Sequence, residues 1–434
     1  MKARAVLRGA TVAIMAAYLS AGAVQAQERP IAFEGATIHT MAGETIPAGT
    51  FVIHRGKIAG VGAAVEIPAD AERRDATGMV IMPGIVDTHS HIGSVAGADR
   101  SSPIQPEVRA MDAINPRDAS IAKARAGGVT TANVMPGSGW LVSGQTFYMR
   151  LRDGETIEDI AWRFPDGSVM GGLKMANGTN PIGETPGFPG TRAKSAALVR
   201  AAFTEAQSYC KGKRTPVDLG KEALCEVLSG KRLVHHHTHR ADDIMTVLRL
   251  QREFGFRVLI QHGMEAWKVA EELAAAGVPV SNILVDSPGG KLEAQESRLE
   301  TAAALERAGV LTSLHSDDGI IDSRLMFRQA GIAVRGGMSR EGALRALTIN
   351  GAKQLGIEDS VGSLEVGKDA DFLILSGDPL SVYTDVMQTW VEGEKLFDRS
   401  TEEGKLLAEG GYGAGSPMEL AHHHWEAAEA EAGQ

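Results

Sequence analysis

The stretch MPGIVDTHSHIG, residues 82–93, decides how the rest of the chain is read. Its centre, GIVDTHSH (84–91), is a short apolar run that closes on Asp87, His89 and His91. In a β-strand, residues i and i+2 face the same side, so His89 and His91 project together from the end of this one. Two adjacent imidazoles can bind a divalent ion. Taken alone, an H-x-H pair is a weak signal, and a buried structural pair is the plain alternative.

Working outward, seven more strand-like segments follow, at 129–135, 145–151, 168–175, 231–239, 256–262, 277–283 and 309–317. Helical patterns at 191–211, 218–229, 241–254, 266–276 and 293–308 fall between several of them. Strands alternating with helices predict βαβ units. Eight such strands predict an α/β fold, a (β/α)8 TIM-like barrel whose active site sits where strands end. Gly-punctuated β-like runs precede it (31–40, 50–62, 78–84) and follow it (369–380, 387–398). They predict one small β-sandwich domain built from both terminal regions. The expected division is sandwich over 27–82, barrel over 83–357, sandwich again over 358–403, and a flexible tail over 404–434.

Hydrophobic residues make up 43% of the 434 and charged residues 23%, which suits a globular enzyme. The net charge of -10 and the lack of a basic, aromatic-laced cluster argue against nucleic acid as a partner. Residues 1–26 combine Lys2, Arg4 and Arg8 with an apolar stretch and end in Val-Gln-Ala, the layout of a secretory signal. A retained anchor is the alternative reading. Cleavage removes three cations and takes the net charge from -10 to -13. The expectation is an exported protein, periplasmic or secreted, with no later membrane span. A homo-oligomer is compatible with everything read here. Cys210 and Cys225 are too few for a cysteine-rich zinc module; a disulfide between them and two free thiols both remain open.

Chemistry-bearing residues gather at the strand ends. LVHHHTHR (233–240) holds four histidines. By parity His235, His237 and His239 share one face, and His236 points to the helix layer. GLKMANG (172–178) carries Lys174, LIQHG (259–263) carries His262, and LHSDDG (314–319) carries His315 and Asp317 with Asp318 beside it. A nonspecific metal-binding surface is the bland reading of the histidine run. For Lys174 it is a solvent-seeking side chain or a partner for a substrate carboxylate. Ser138 in PGSGW (136–140) lacks a nucleophile elbow. His422–His424 falls in the tail.

MPGIVDTHSHIG resembles the opening motif of the amidohydrolase superfamily, and VGSLEVGKDADFLIL (361–375) resembles that superfamily's return into its β-sandwich. His237-Thr-His239-Arg-Ala-Asp-Asp-Ile244 resembles the H-A-H-G-A-E-x-I of its imidazolonepropionase-like and prolidase-like members. The resemblance covers about Ile31 to Asp398. It implies one or two divalent metals, with His89, His91, Lys174, His237, His262 and Asp317 as ligands. Lys174 would then take up carbon dioxide to become a carbamate bridging two zinc ions. Gln261 stands where a Glu is usual. The resemblance selects His237 as the strand-5 ligand; the further candidates are His239 (substrate contact or support for the ligands), His315 (substrate contact or an ordinary core histidine), and Arg240 or Arg100 (holder of a substrate carboxylate or an ordinary surface arginine). Asp317 is the candidate catalytic acid and base.

The implied function is an exported metal-dependent amidohydrolase that cuts an amide or cyclic amide C–N bond with metal-activated hydroxide. A periplasmic dipeptidase or N-acyl-amino-acid amidase is the specific alternative. A non-catalytic periplasmic metal-binding protein on the same scaffold is the alternative of another class.

Overall fold

The computed structural model describes residues 29–95, 97–99, 101–182, 188–284 and 291–410. The signal segment, Arg100 and His422–His424 lie outside the described residues.

Both ends of the chain build one eight-stranded sheet. Ile31–Ile38 pairs antiparallel with Ile46–His54 on one side and parallel with Glu72–Asp75 and Val80–Pro83 on the other. Val80–Pro83 then pairs antiparallel with Phe372–Leu375, which leads on to Val386–Val391 and Glu394–Asp398. Alternating side chains put Phe33, Phe51, Phe372 and Trp390 on the buried face, with ring centroids 4.9–6.4 Å apart. The apolar core of the sheet is thus assembled from segments more than 300 residues apart in the chain.

Each of the eight strand segments anticipated for the barrel contains a strand. Six strands form one sheet in the order Thr312–Leu314, Val280–Asn282, Val258–His262, Val234–Thr238, Leu173–Ala176, Val142–Gln145. A second sheet joins Ile85–Ser90, Val129–Val134 and Phe147–Arg150. The architecture is TIM-barrel-like, and it departs from the anticipated (β/α)8 pattern at the third strand. Val142–Gln145 and Phe147–Arg150 run antiparallel to their neighbours. Phe147–Arg150 is reached from its neighbour Val129–Val134 through 135–146, which contain no helix to carry a crossover, so the chain turns back antiparallel.

The described backbone ladder does not pair Ile85–Ser90 with Thr312–Leu314. Polar groups join the two instead. Asp317 N donates to His89 O (2.9 Å), and Ser316 donates to Asp87 through both its N (3.1 Å) and its Oγ (2.5 Å). Thr88 Oγ1 lies 3.1 Å from Ser313 Oγ. These contacts draw the ends of the first and last strands together.

Helices follow the sequence signals where caps are strong. Thr191 and Asp218 accept hydrogen bonds from Lys194 N and Lys221 N, and so start Arg192–Lys211 and Leu219–Leu228. Cys210 and Cys225 are bonded to each other and tie these two helices. Two expectations are corrected. Only Thr301–Arg307 of the 293–308 pattern is α-helical. The flexible tail expected from 404 instead begins within the helix Glu402–Glu409, where Arg324 Nη1 donates to Leu407 O and Gly410 O.

The terminal sheet is fastened to the barrel by charge. Arg150 meets Asp369 (2.8 Å) and Glu392 (3.2 Å), and Arg152 meets Glu392 (2.6 Å).

Candidate metal centre

Every strand that supplies a candidate ligand ends at the same mouth. Parallel register sets Lys174 beside His235 and Ala176 beside His237, then Thr238 beside His262. Gly172 permits the close approach of its neighbour, because a Cβ there would stand 2.3 Å from the His235 ring. Two candidate ligands sit at left-handed backbone positions, His262 at φ 69° and Asp317 at φ 48°. Non-glycine residues rarely adopt that region, and such strain concentrates at functional sites.

Hydrogen bonds fix the tautomers of the H-x-H pair. His91 Nδ1 lies 2.8 Å from Met135 O, a pure acceptor, so Nδ1 carries the proton. His89 Nδ1 lies 3.2 Å from Gln261 Oε1, while Gln261 Nε2 is oriented by Thr88 O and the His235 ring. Both Nε2 atoms therefore present lone pairs to the centre. They stand 3.3 Å apart, and Asp317 Oδ1 lies 3.2 Å from one and 2.9 Å from the other. Three lone-pair bearers this close, with no proton between them, fit a cation. The ring of His237 and Nε2 of His262 add buried nitrogens that have no hydrogen-bond partner. Buried polar atoms without partners are costly, and a divalent ion would satisfy them.

Lys174 is fully buried, with Nζ 3.1 Å from His89 Nε2 and 2.9 Å from Met135 Sδ. Desolvation pulls its amine down to about 7, against the pull of Asp317. Burial likewise holds His89, His237 and His262 well below the usual imidazole range, neutral and able to ligate. For Asp317 burial acts upward, but positive charge facing it from the side of His89, His91 and His262 holds the carboxyl well below the ordinary range, a role that a cation among these neutral rings would fill.

The structure brings His89, His91, Lys174 and Asp317 into direct contact. His262 joins them 3.9 Å from Asp317, and His237 packs on His262 with ring centroids 4.4 Å apart. His239 follows, 4.6 Å from His237, with both nitrogens unpartnered. Asp318 turns away to accept from Ser323 N. His235 is a core residue held by Tyr148, Asn133 and Gln261, and His236 faces the helix layer beside Arg192 and Asp243.

Two further substrate-contact candidates already have partners within the protein. His315 is fully buried with both nitrogens engaged, Nδ1 by Ser281 Oγ (2.7 Å) and Nε2 by His262 Nδ1 (3.1 Å). This placement matches the core-histidine alternative, with His315 orienting His262. Arg240 is half-exposed and clamped by Asp242 at 2.9 and 3.0 Å.

Sequence reasoning missed Glu293 and Lys291. Glu293 is buried, with its carboxylate near His237 and His239. Lys291 is exposed, yet its charge acts on His237, His239 and Lys174. Neither lies in a motif, and Glu293 reads locally as the start of a helix.

Comparison with known proteins agrees with this geometry. The model of the Amidohydrolase family matches residues 219–397. The solved structure of an amidohydrolase from Thermotoga maritima MSB8 is 37% identical, with a TM-score of 0.80 over 85% of this chain and 100% of that one. The chain belongs to the amidohydrolase superfamily. Membership places it among hydrolases that act on carbon–nitrogen bonds, for which a metal centre is consistent. The amidohydrolase tasK of Hapsidospora irregularis is 27% identical over 81% of this chain, a match that spans only 40% of that relative's length. An imidazolonepropionase of Pseudomonas paraeruginosa is 27% identical over 72% of this chain and 83% of its own.

Proposed function

We propose that this protein is an exported, metal-dependent amidohydrolase that hydrolyses an amide or cyclic amide bond of a small molecule. The observation that carries the reading is the convergence of His89 Nε2, His91 Nε2 and Asp317 Oδ1 within 3.3 Å, with both Nδ1 protons committed elsewhere. His89, His91 and Asp317 would hold one ion, and His237 and His262 a second, with Lys174 as a carbamate between them. Zinc suits this nitrogen and carboxylate set. When bound, a divalent cation supplies Lewis acidity, acidifying water and polarising a carbonyl oxygen.

The residues of the chain do the rest. Asp317, held as a carboxylate at the mouth, takes the proton of the attacking water and returns it to the departing nitrogen. Water and amide thus become acid and amine, and Asp317 ends as it began. His315 fixes His262, and Gln261 and Met135 fix His89 and His91, so the donors need no reorganisation during reaction. Export is supported by the signal-like residues 1–26 and by the Cys210–Cys225 disulfide, since such bonds persist in oxidising compartments. No helix among the described residues is long and apolar enough to cross a membrane.

The test is a panel of dipeptides, N-acyl amino acids, lactams and lactones, run with zinc-loaded and chelated protein. Turnover of the amides that depends on metal is expected. Tight zinc binding with no turnover of any substrate would make the protein a metal carrier on this scaffold and overturn the proposal.

A further inference from the structure

Behind the centre, Glu293 reaches the mouth from outside the strand ends. Thr179 N (2.9 Å) and Arg192 Nη2 (3.3 Å) both donate to its Oε2, which fixes the carboxylate and leaves Oε1 directed elsewhere. Oε1 is buried and has no hydrogen-bond partner. The same is true of both ring nitrogens of His237 and both of His239. One donor atom from each of these three residues lies within 4.8 Å of the others. The three residues are only 2–5% exposed. Room for the carboxylate depends on Gly178, at φ +80°, where a Cβ would stand 2.5 Å from Glu293 Oε2. The backbone is shaped around this acid.

Three buried polar side chains from two segments, each with at least one unpaired nitrogen or oxygen, would be unfavourable unless something completes them. Two imidazoles and one carboxylate are a common zinc donor set, with bonds of about 2.0–2.2 Å that small side-chain rotations would reach from these positions. Three protein ligands leave the fourth tetrahedral position for water. Neither His239 nor Glu293 belongs to the ligand set that the superfamily resemblance implies.

We propose that His237, His239 and Glu293 form an auxiliary site for a divalent cation, sharing His237 with the candidate centre as an imidazolate whose ring proton is released when both ions are held. The inference does not require the protein to be a hydrolase. It requires only that an ion be held on the Glu293 side of His237.

The test is zinc analysis of the full-length protein after dialysis against Zn2+, together with anomalous diffraction from zinc-soaked crystals. The variants are Glu293→Gln and His239→Gln. The wild type should show a zinc peak among His237, His239 and Glu293. Each variant should lose about one equivalent of zinc and that peak, and keep the peak at His89, His91 and Asp317. If Glu293→Gln fails to fold for want of its ties to Arg192 and Thr179, His239→Gln decides. Unchanged zinc content in His239→Gln, or a wild-type peak only at His89, His91 and Asp317, would overturn this site while leaving the proposed centre standing. No zinc at either place would remove both.

Discussion

His315 Nε2 lies 3.1 Å from His262 Nδ1, deep behind the mouth. The contact continues backward, since His315 Nδ1 meets Ser281 Oγ at 2.7 Å and Ser281 Oγ meets Thr88 Oγ1 at 2.5 Å. An unbroken run of hydrogen bonds therefore links a candidate ligand on one strand to the backbone neighbour of His89 on another. Outer partners of this kind set the tautomer and aim of a ligand, and losing one typically weakens metal binding about 10- to 100-fold. His315→Ala should do so with the fold intact by circular dichroism. Competition with a chelator measures it. Wild-type affinity in the variant would show that His262 needs no such support.

The histidine run separates by face. His237 packs on His262, whereas His236 Nδ1 donates to His237 O and the ring lines a cavity between helices. His237→Ala should lose most bound metal and activity. His236→Ala should keep both and cost about 1–3 kcal/mol of stability from the emptied space and lost hydrogen bond. Metal content of the two purified variants is the check. The reverse pattern would mean that the strand is out of phase by one residue.

Lys174 tests the bridge. Its amine is fully buried 3.1 Å from His89 Nε2, where a protonated side chain would be poorly solvated and a carbamate would face the ligands. Lys174→Ala should lower activity by about 100-fold, the upper end of what disturbing a metal's surroundings costs. Acetate or propionate should restore part of it by standing in for the carbamate. Full activity in Lys174→Ala without added carboxylate would take the residue out of the mechanism.

Asp371 gives a prediction about stability. Burial pushes its carboxyl up to about 7, against the pull of Arg150, and one of its oxygens has no partner. Between about pH 4 and pH 7 the unfolded chain releases this proton while the native protein keeps it. The native state therefore loses stability as pH rises through that window, and the loss is complete above the native pKa. Asp371→Asn cannot ionise, so from pH 5 to pH 8 its stability should fall less than that of the wild type. Over that range the difference should reach at most about 3 kcal/mol. Asp87, raised in the same direction to about 7, leaves a residual slope in the variant. Urea midpoints across the range decide the matter, and parallel curves for the two proteins would contradict the linkage.

The sequence by itself determined the strand segments, the helix starts capped by Thr191 and Asp218, and the faces on which His89, His91, His237, His262 and Asp317 project. Strand parity, capping residues and apolar runs are local properties, so neighbouring residues carry the information. What the tertiary structure decided is everything that depends on residues far apart. Strand order and direction follow from loop length and pairing, which is why the segment around Val142–Arg150 proved antiparallel. Whether His315 meets substrate or props His262 depends on Ser281, 34 residues away. Glu293 becomes a site residue because Arg192 and Thr179, more than 100 residues earlier, hold it there. A side chain's chemical type is written in the sequence, but the burial and partners that set its protonation exist only once distant strands have packed.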